Sequence, residues 1–162
     1  MLKPGCPLVV LCMLLSAAAV WGQEVVYPRP PLAAVPSAMV FVQPLTNPGV
    51  ATQNLRVTNM TRESVTFQPW TMKGWVTTSL PSSVTLGALG SRRGTVSVDW
   101  TKMEPLVQFD QATQDRIAAI LRAQGSNWTP GHGMQGAVGA VALDPGPGKP
   151  ITWVLVIAIH SM

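Results

Sequence analysis

The sequence predicts an all-β chain in which two sheets pack face to face, with one short α-helix inserted ahead of a C-terminal β-hairpin. Three observations carry this. Short alternating runs rich in Val, Thr and Phe recur between turn residues from Ala38 to Thr101. One stretch around Ile117 changes to helical spacing, and the chain closes on two apolar, partly β-branched runs.

The opening residues MLKPGCPLVVLCMLLSAAAVWG place one Lys before an apolar run from Leu8 to Val20 and end among small residues, the layout of an export signal. The run is shorter than the roughly 20 residues of a membrane-spanning helix. Residues 1–22 are therefore expected to be a cleaved signal peptide, with Ala19 the alternative cleavage point, and 140 of the 162 residues remain to build one domain. Both cysteines, Cys6 and Cys12, leave with the leader. The mature chain then has no disulfide, thiol nucleophile or thiolate ligand, which points to an exported bacterial domain. In that setting the glycosylation sequons at Asn59 and Asn127 are accidental.

Residues 23–36 hold Pro28, Pro30, Pro31 and Pro36, each fixing φ and withholding an amide donor, so an extended spacer is expected there. Strands follow over residues 37–104. They are Ala38–Gln43, Gln53–Asn59, Glu63–Pro69, Trp75–Thr77, Ser83–Leu86 and Gly94–Thr101, with turn chemistry at Asn47-Pro48-Gly49 and a hairpin-length link from Asn59 to Arg62. In the last of these strands Val96, Val98 and Trp100 share one face. Residues 105–162 supply the helix and the closing hairpin: Asp110 is the expected N-cap, Ile117, Ile120 and Leu121 form the apolar stripe, and Gly125 is the stop. GAVGAVAL and ITWVLVIAIH, joined by DPGPGKP, are the two hairpin strands, the second expected to be buried on both faces. A terminal strand of this kind also offers a route to a homo-oligomer by pairing with a neighbour's sheet edge.

The series Pro36-Ser37 to Phe41, Gln53 to Asn59, Val65-Thr66-Phe67, Gly74-Trp75-Val76-Thr77, Pro81-Ser82-Ser83 and Gly94-Thr95-Val96-Ser97-Val98 resembles the bacterial immunoglobulin-like modules of the BACON type, over about residues 36–101. The resemblance implies an immunoglobulin-like β-sandwich, carbohydrate or surface association as in some relatives, and no catalytic residues to carry over. Two features depart from that pattern. A helix and long tail follow Met103, and the Gly-rich loop after the Trp is reduced to Pro81-Ser82-Ser83.

Composition narrows the function. The net charge of +4 falls by one when Lys3 leaves, and apart from Arg92-Arg93 the basic residues are scattered, which excludes nucleic acid as a partner. Charged residues make up only 11% of the chain, so much of the surface is Thr, Ser, Gln and Asn, and part of it is expected to be covered by a partner. Arg92 and Arg93, in the Gly-rich GALGSRRG segment read as a solvent loop, are candidates for weak contact with an anion. His132 and His160 cannot by themselves furnish a metal site, and no metal or other cofactor is expected.

No Gly-x-Ser-x-Gly elbow is present, and the one catalytic grouping the hairpin could assemble is Asp144, His160 and Ser161. Of the tryptophans, Trp75, Trp100 and Trp153 fit a core. Trp70, after Pro69, and Trp128, before Pro130, fit exposed turns where an indole could stack on a sugar. The sequence therefore reads as a non-catalytic module in the periplasm or outside the cell, making protein-protein or envelope-assembly contacts with another envelope or secreted protein. The alternative is a carbohydrate-binding module using Trp70 and Trp128 on a polysaccharide, and a small secreted hydrolase around Asp144 ranks last.

Overall fold

The computed structural model describes residues 28–43, 49–127 and 134–160; the leader, Trp128, His132 and Ser161 lie outside the described residues. Among the described residues ten strands form two sheets. In chain order they are β1 (Leu32–Val35), β2 (Ala38–Val42), β3 (Val50–Asn59), β4 (Val65–Thr71), β5 (Val76–Thr78), β6 (Val84–Leu86), β7 (Ser91–Asp99), β8 (Val107–Gln108), β9 (Gln135–Asp144) and β10 (Thr152–His160). A single-turn 3-10 helix (Trp100–Lys102) follows β7, and the helix α1 (Gln111–Ala123) lies between β8 and β9. The four-stranded sheet runs β1-β3-β7-β5; the six-stranded sheet runs β2-β10-β9-β4-β6, with β8 joined to the far end of β9. This is an immunoglobulin-like β-sandwich with an inserted helix and a closing hairpin.

Alternation fixes which side chains face inward. Leu55 and Val57 on β3 and Val96 and Val98 on β7 point toward Met39, Phe41, Val65, Phe67, Val141, Leu143, Val154 and Val156 of the opposite sheet, and all are buried. Trp75 fills the space between the layers, where a methyl added at Gly139 would stand 2.9 Å from Val76 Cγ2 and 3.1 Å from Trp75 Cη2. The indole packs against bare backbone there, which explains the glycine inside β9. Trp100 is buried as its strand pattern requires, but from the 3-10 turn after β7, where Asp99 caps the turn by accepting from Thr101 N at 3.0 Å.

The six-stranded sheet is apolar on its outer face too. There Val40, Ile157 and Ile159 pack with Ile117 and Leu121 of α1, together with Phe109 and Met134. Helix α1 starts where expected, Asp110 Oδ1 accepting from Thr113 N at 2.8 Å, and ends at Gly125 with φ +78°. Strand β4 carries Pro69 without losing a ladder bond. Met72 N donates to Ala140 O, so the even-numbered residues address β9, and Pro69 faces the other side, where β6 has already ended opposite Phe67.

Two expectations are corrected. The ordered sheet begins inside the expected spacer. Leu32 and Ala34 turn inward, and β1 pairs antiparallel with β3, because the four residues between Pro31 and Pro36 keep their amides and alternate in the strand period. The chain then crosses to the other sheet at Pro36-Ser37, and β2 pairs with β10 in parallel. For that reason the terminal strand cannot serve a homo-oligomer by edge pairing: β10 is hydrogen-bonded to β9 on one side and to β2 on the other.

Side-chain amides close the remaining gaps. Asn59, fully buried, donates from Nδ2 to Glu63 O (2.7 Å), Gly87 O (2.9 Å) and Leu86 O (3.3 Å), and accepts at Oδ1 from the amide (2.9 Å) and hydroxyl (2.8 Å) of Thr61. It ties the end of β3 to the turn that leaves β6, and so joins the two sheets. With every position of its amide engaged, the Asn59 sequon has no free nitrogen in the folded chain. At the outer edge of β2, Leu155 N and Gln43 N show that odd positions address β10, leaving Val40 directed outward. Gln53 Nε2 donates to Val40 O (2.7 Å), Val40 N donates to Gln124 Oε1 (3.4 Å), and Gln124 Nε2 donates to Gln53 Oε1 (2.6 Å). This ring imitates a neighbouring strand for one residue and links both sheets to the end of α1.

Replacing Asn59 by Ala should cost roughly 2–3 kcal/mol in urea unfolding, because buried carbonyls lose their donors. Gln124→Ala should cost about 1 kcal/mol and open the β2 edge, so that sedimentation shows association rising with concentration. The Asp110 carboxyl sits below its ordinary value of 3.8, chiefly because it accepts hydrogen bonds from Thr113, with Arg116 adding attraction. A folded-state value lower than the unfolded one means that the capping contribution is complete above about pH 4 and is lost as pH falls through the folded value. Asp110→Asn, which keeps the acceptor at any pH, should flatten that acid-side loss of helix signal in circular dichroism.

Candidate functional site

The outer face of the six-stranded sheet is only partly covered by α1. Its uncovered part is built by register. Trp70 of β4 and Trp153 of β10 are both the cross-strand partners of Ala142 on β9, so the two indoles stand in one row with a small residue between them. Their ring centroids are 5.3 Å apart at 84°, an edge-to-face pair, and 41% of Trp70 and 44% of Trp153 remain exposed. In the next row Leu155 faces Ala140, whose carbonyl accepts from Met72 N, and Val138 follows on β9. Trp70, Met72, Val138, Trp153 and Leu155 are five of the ten large apolar side chains exposed among the described residues, so the exposure is concentrated here and not scattered.

Small residues make the floor. Ala140 and Ala142 are buried beneath their larger neighbours, and Gln68 and Thr66 continue the same pleat of β4 as a polar margin. The surface is shallow, apolar and aromatic, with a thioether at one side. Such a surface can bury area against a partner, but it brings no nucleophile, base or pair of carboxylates together.

Trp70 is exposed as the sequence suggested, although from a strand and not a turn; Trp128 lies outside the described residues. Trp153, expected in the core, is on the surface. Strand β10 is apolar at every position from Trp153 to Ile159, so one set faces the sandwich, and of the other set α1 reaches only Ile157 and Ile159. Arg92 and Arg93 do not form a pair in a loop: the turn ends at Gly90 and both arginines belong to β7, where consecutive side chains point to opposite faces. Arg93 instead stands across from Arg56, which sequence reasoning missed because the two are joined only by the β3/β7 register.

Of the grouping Asp144, His160 and Ser161, the two described members are not brought together. Asp144 ends β9 beside Gln68, while His160 ends β10 opposite Gln135, eight residues along the hairpin from Thr152 at the other end, or roughly 26 Å at strand rise. His160 Nδ1 is hydrogen-bonded to Gln43 Oε1. Among the described residues no three His, Cys, Asp or Glu side chains cluster as metal ligands would, and no helix is long and apolar enough to cross a membrane.

No family model matches the chain, and no curated protein sequence matches it significantly. Solved structures do. A PapD-like domain of human CEP192 is 12% identical, with 86% of this chain and 91% of that one aligned and a TM-score of 0.48. WR4, an MSP family member of C. elegans, is 8% identical over 82% of this chain and 100% of that one, at 0.42. The E. coli chaperone DraB is 12% identical over 83% of this chain and 56% of its own length, at 0.43. At such identity the likeness concerns β-sandwich architecture alone. It does not extend to the BACON-type module in particular, and the fold assignment rests on the two sheets described above.

Proposed function

We propose that the protein is a non-catalytic binding module that docks another protein through the Trp70/Trp153 face of its six-stranded sheet. The observation behind this reading is the concentration of exposed Trp, Met, Leu and Val on one half-covered sheet face, a composition typical of the cores of protein interfaces. The edge-to-face tryptophans favour a protein over a sugar. A polysaccharide platform wants indoles lying flat, whereas here the two rings stand at 84° and their neighbours are aliphatic. The export leader read in residues 1–22 makes the envelope or the extracellular space the place of action, and an envelope or secreted protein the partner. Carbohydrate binding is the second reading, favoured by the exposed indole of Trp70 and the polar margin of Gln68 and Thr66.

A photo-crosslinking amino acid placed at Leu155 or at Met72 in the native host should give one discrete protein adduct, identifiable by mass spectrometry. The same probe at Thr95 on the opposite sheet should not. Trp70→Ala combined with Trp153→Ala should remove the adduct while leaving cooperative unfolding in place. Absence of any protein adduct, together with a fluorescence shift of these tryptophans on adding a soluble polysaccharide, would reverse the order of the two readings.

A further inference from the structure

The outer face of the four-stranded sheet has the opposite character. Thr52, Asn54, Arg56 and Thr58 of β3 and Ser91, Arg93, Thr95 and Ser97 of β7 point away from the core and make its two central strands polar there. Arg56 and Arg93 are direct cross-strand partners. The hydrogen bonds Asn59 N to Gly90 O and Trp100 N to Gly49 O show that the odd-numbered positions of β3 form the hydrogen-bonded pairs. Arg56 and Arg93 therefore occupy a non-hydrogen-bonded pair, in which facing Cα atoms are only about 4.5 Å apart and side chains lie closest.

Two like charges set opposite one another in this way destabilise a sheet. Among the described residues the ion pairs are Lys73 with Glu104 and Lys102 with Asp99, so no carboxylate neutralises either guanidinium. A cleft of about 550 Å³ opens at this position, lined by Arg56, Arg93, Asn54, Thr58, Leu55 and Val35. Asn54 and Thr58 flank Arg56 on the same pleat and add neutral donors, while Val35 of β1, paired with Arg56 on its other side, gives an exposed apolar wall.

We propose that this cleft binds a tetrahedral dianion, a phosphate monoester, between the forks of Arg56 and Arg93. Each guanidinium presents parallel N–H donors that match two oxygens of such a group, and a charge of −2 cancels the repulsion the fold would otherwise carry. The cleft exceeds a bare oxyanion, and the wall at Val35 suits a small organic body attached to it. The site lies on the opposite sheet from the Trp70/Trp153 face and stands independently of the proposed docking function.

The test is thermal unfolding of the mature protein in inorganic phosphate or sulfate against sodium chloride at equal ionic strength. Phosphate should raise the melting temperature beyond the chloride control. Arg56→Gln and Arg93→Gln should each abolish that increment and, in anion-free buffer, melt at or above the unsubstituted protein because the repulsion is relieved. Arg56→Lys, keeping charge without the fork, should retain only part of it, and Arg92→Gln, on the other pleat, should retain all of it. Flotation with phosphatidic acid vesicles separates a lipid-borne monoester, which would carry the protein upward, from a soluble one, which would not. Equal shifts in phosphate and chloride, or a phosphate increment surviving in Arg56→Gln and Arg93→Gln, would overturn the proposal.

Discussion

The structure depends on a six-stranded sheet whose central strands are apolar on both faces. Strands β9 and β10 carry small or apolar residues at almost every position, so the alternation that normally leaves one face of a sheet to water is absent. Such a sheet needs two covers. The inner cover is the four-stranded sheet, whose Leu55, Val57, Val96 and Val98 meet it across the core. The outer cover is α1, a helix of 13 residues, too short to span the whole face, so Trp70, Met72, Val138, Trp153 and Leu155 remain uncovered. The candidate docking surface is the part of that demand which the described residues do not meet.

Covering two faces brings open edges, and these are handled by short strands and side chains. Strand β2 ends its sheet, and its outward-facing Val40 is engaged by Gln53 and Gln124 in place of another strand. Strand β6 is three residues long, and Asn59 holds the turn that follows it. These amides act between layers: Gln53 comes from the four-stranded sheet and Gln124 from the end of the helix. The positions of sheet, sheet and helix are therefore coupled by hydrogen bonds with direction, while burial supplies the bulk of the attraction.

The two outer faces thus differ in kind. One is aromatic and aliphatic; the other is hydroxyl-rich with two opposed guanidiniums. The proposed docking face and the proposed anion cleft therefore lie on opposite sheets, so that filling one leaves the other open. The sandwich core lies between them, with Trp75 packed against Gly139 in its middle.

Local chemistry was legible in the sequence because it is written at short range. The strands from Ala38 to Asp99, the helix with its Asp110 cap and Gly125 stop, the closing hairpin and the burial of Trp75 and Trp100 all follow from period and turn residues within a few positions. What joins distant segments was not legible. That Leu32–Val35 belongs to a sheet, that Trp153 meets Trp70 across Ala142, and that Arg93 faces Arg56 and not Arg92 depend on strand order and register, which no local pattern encodes. Burial of a position shows only that something covers it, and which element does so, or whether the cover runs short as α1 does over β10, is decided when the layers pack. Period and turn residues set the elements and their inward faces; the packing of layers set what the outward faces meet.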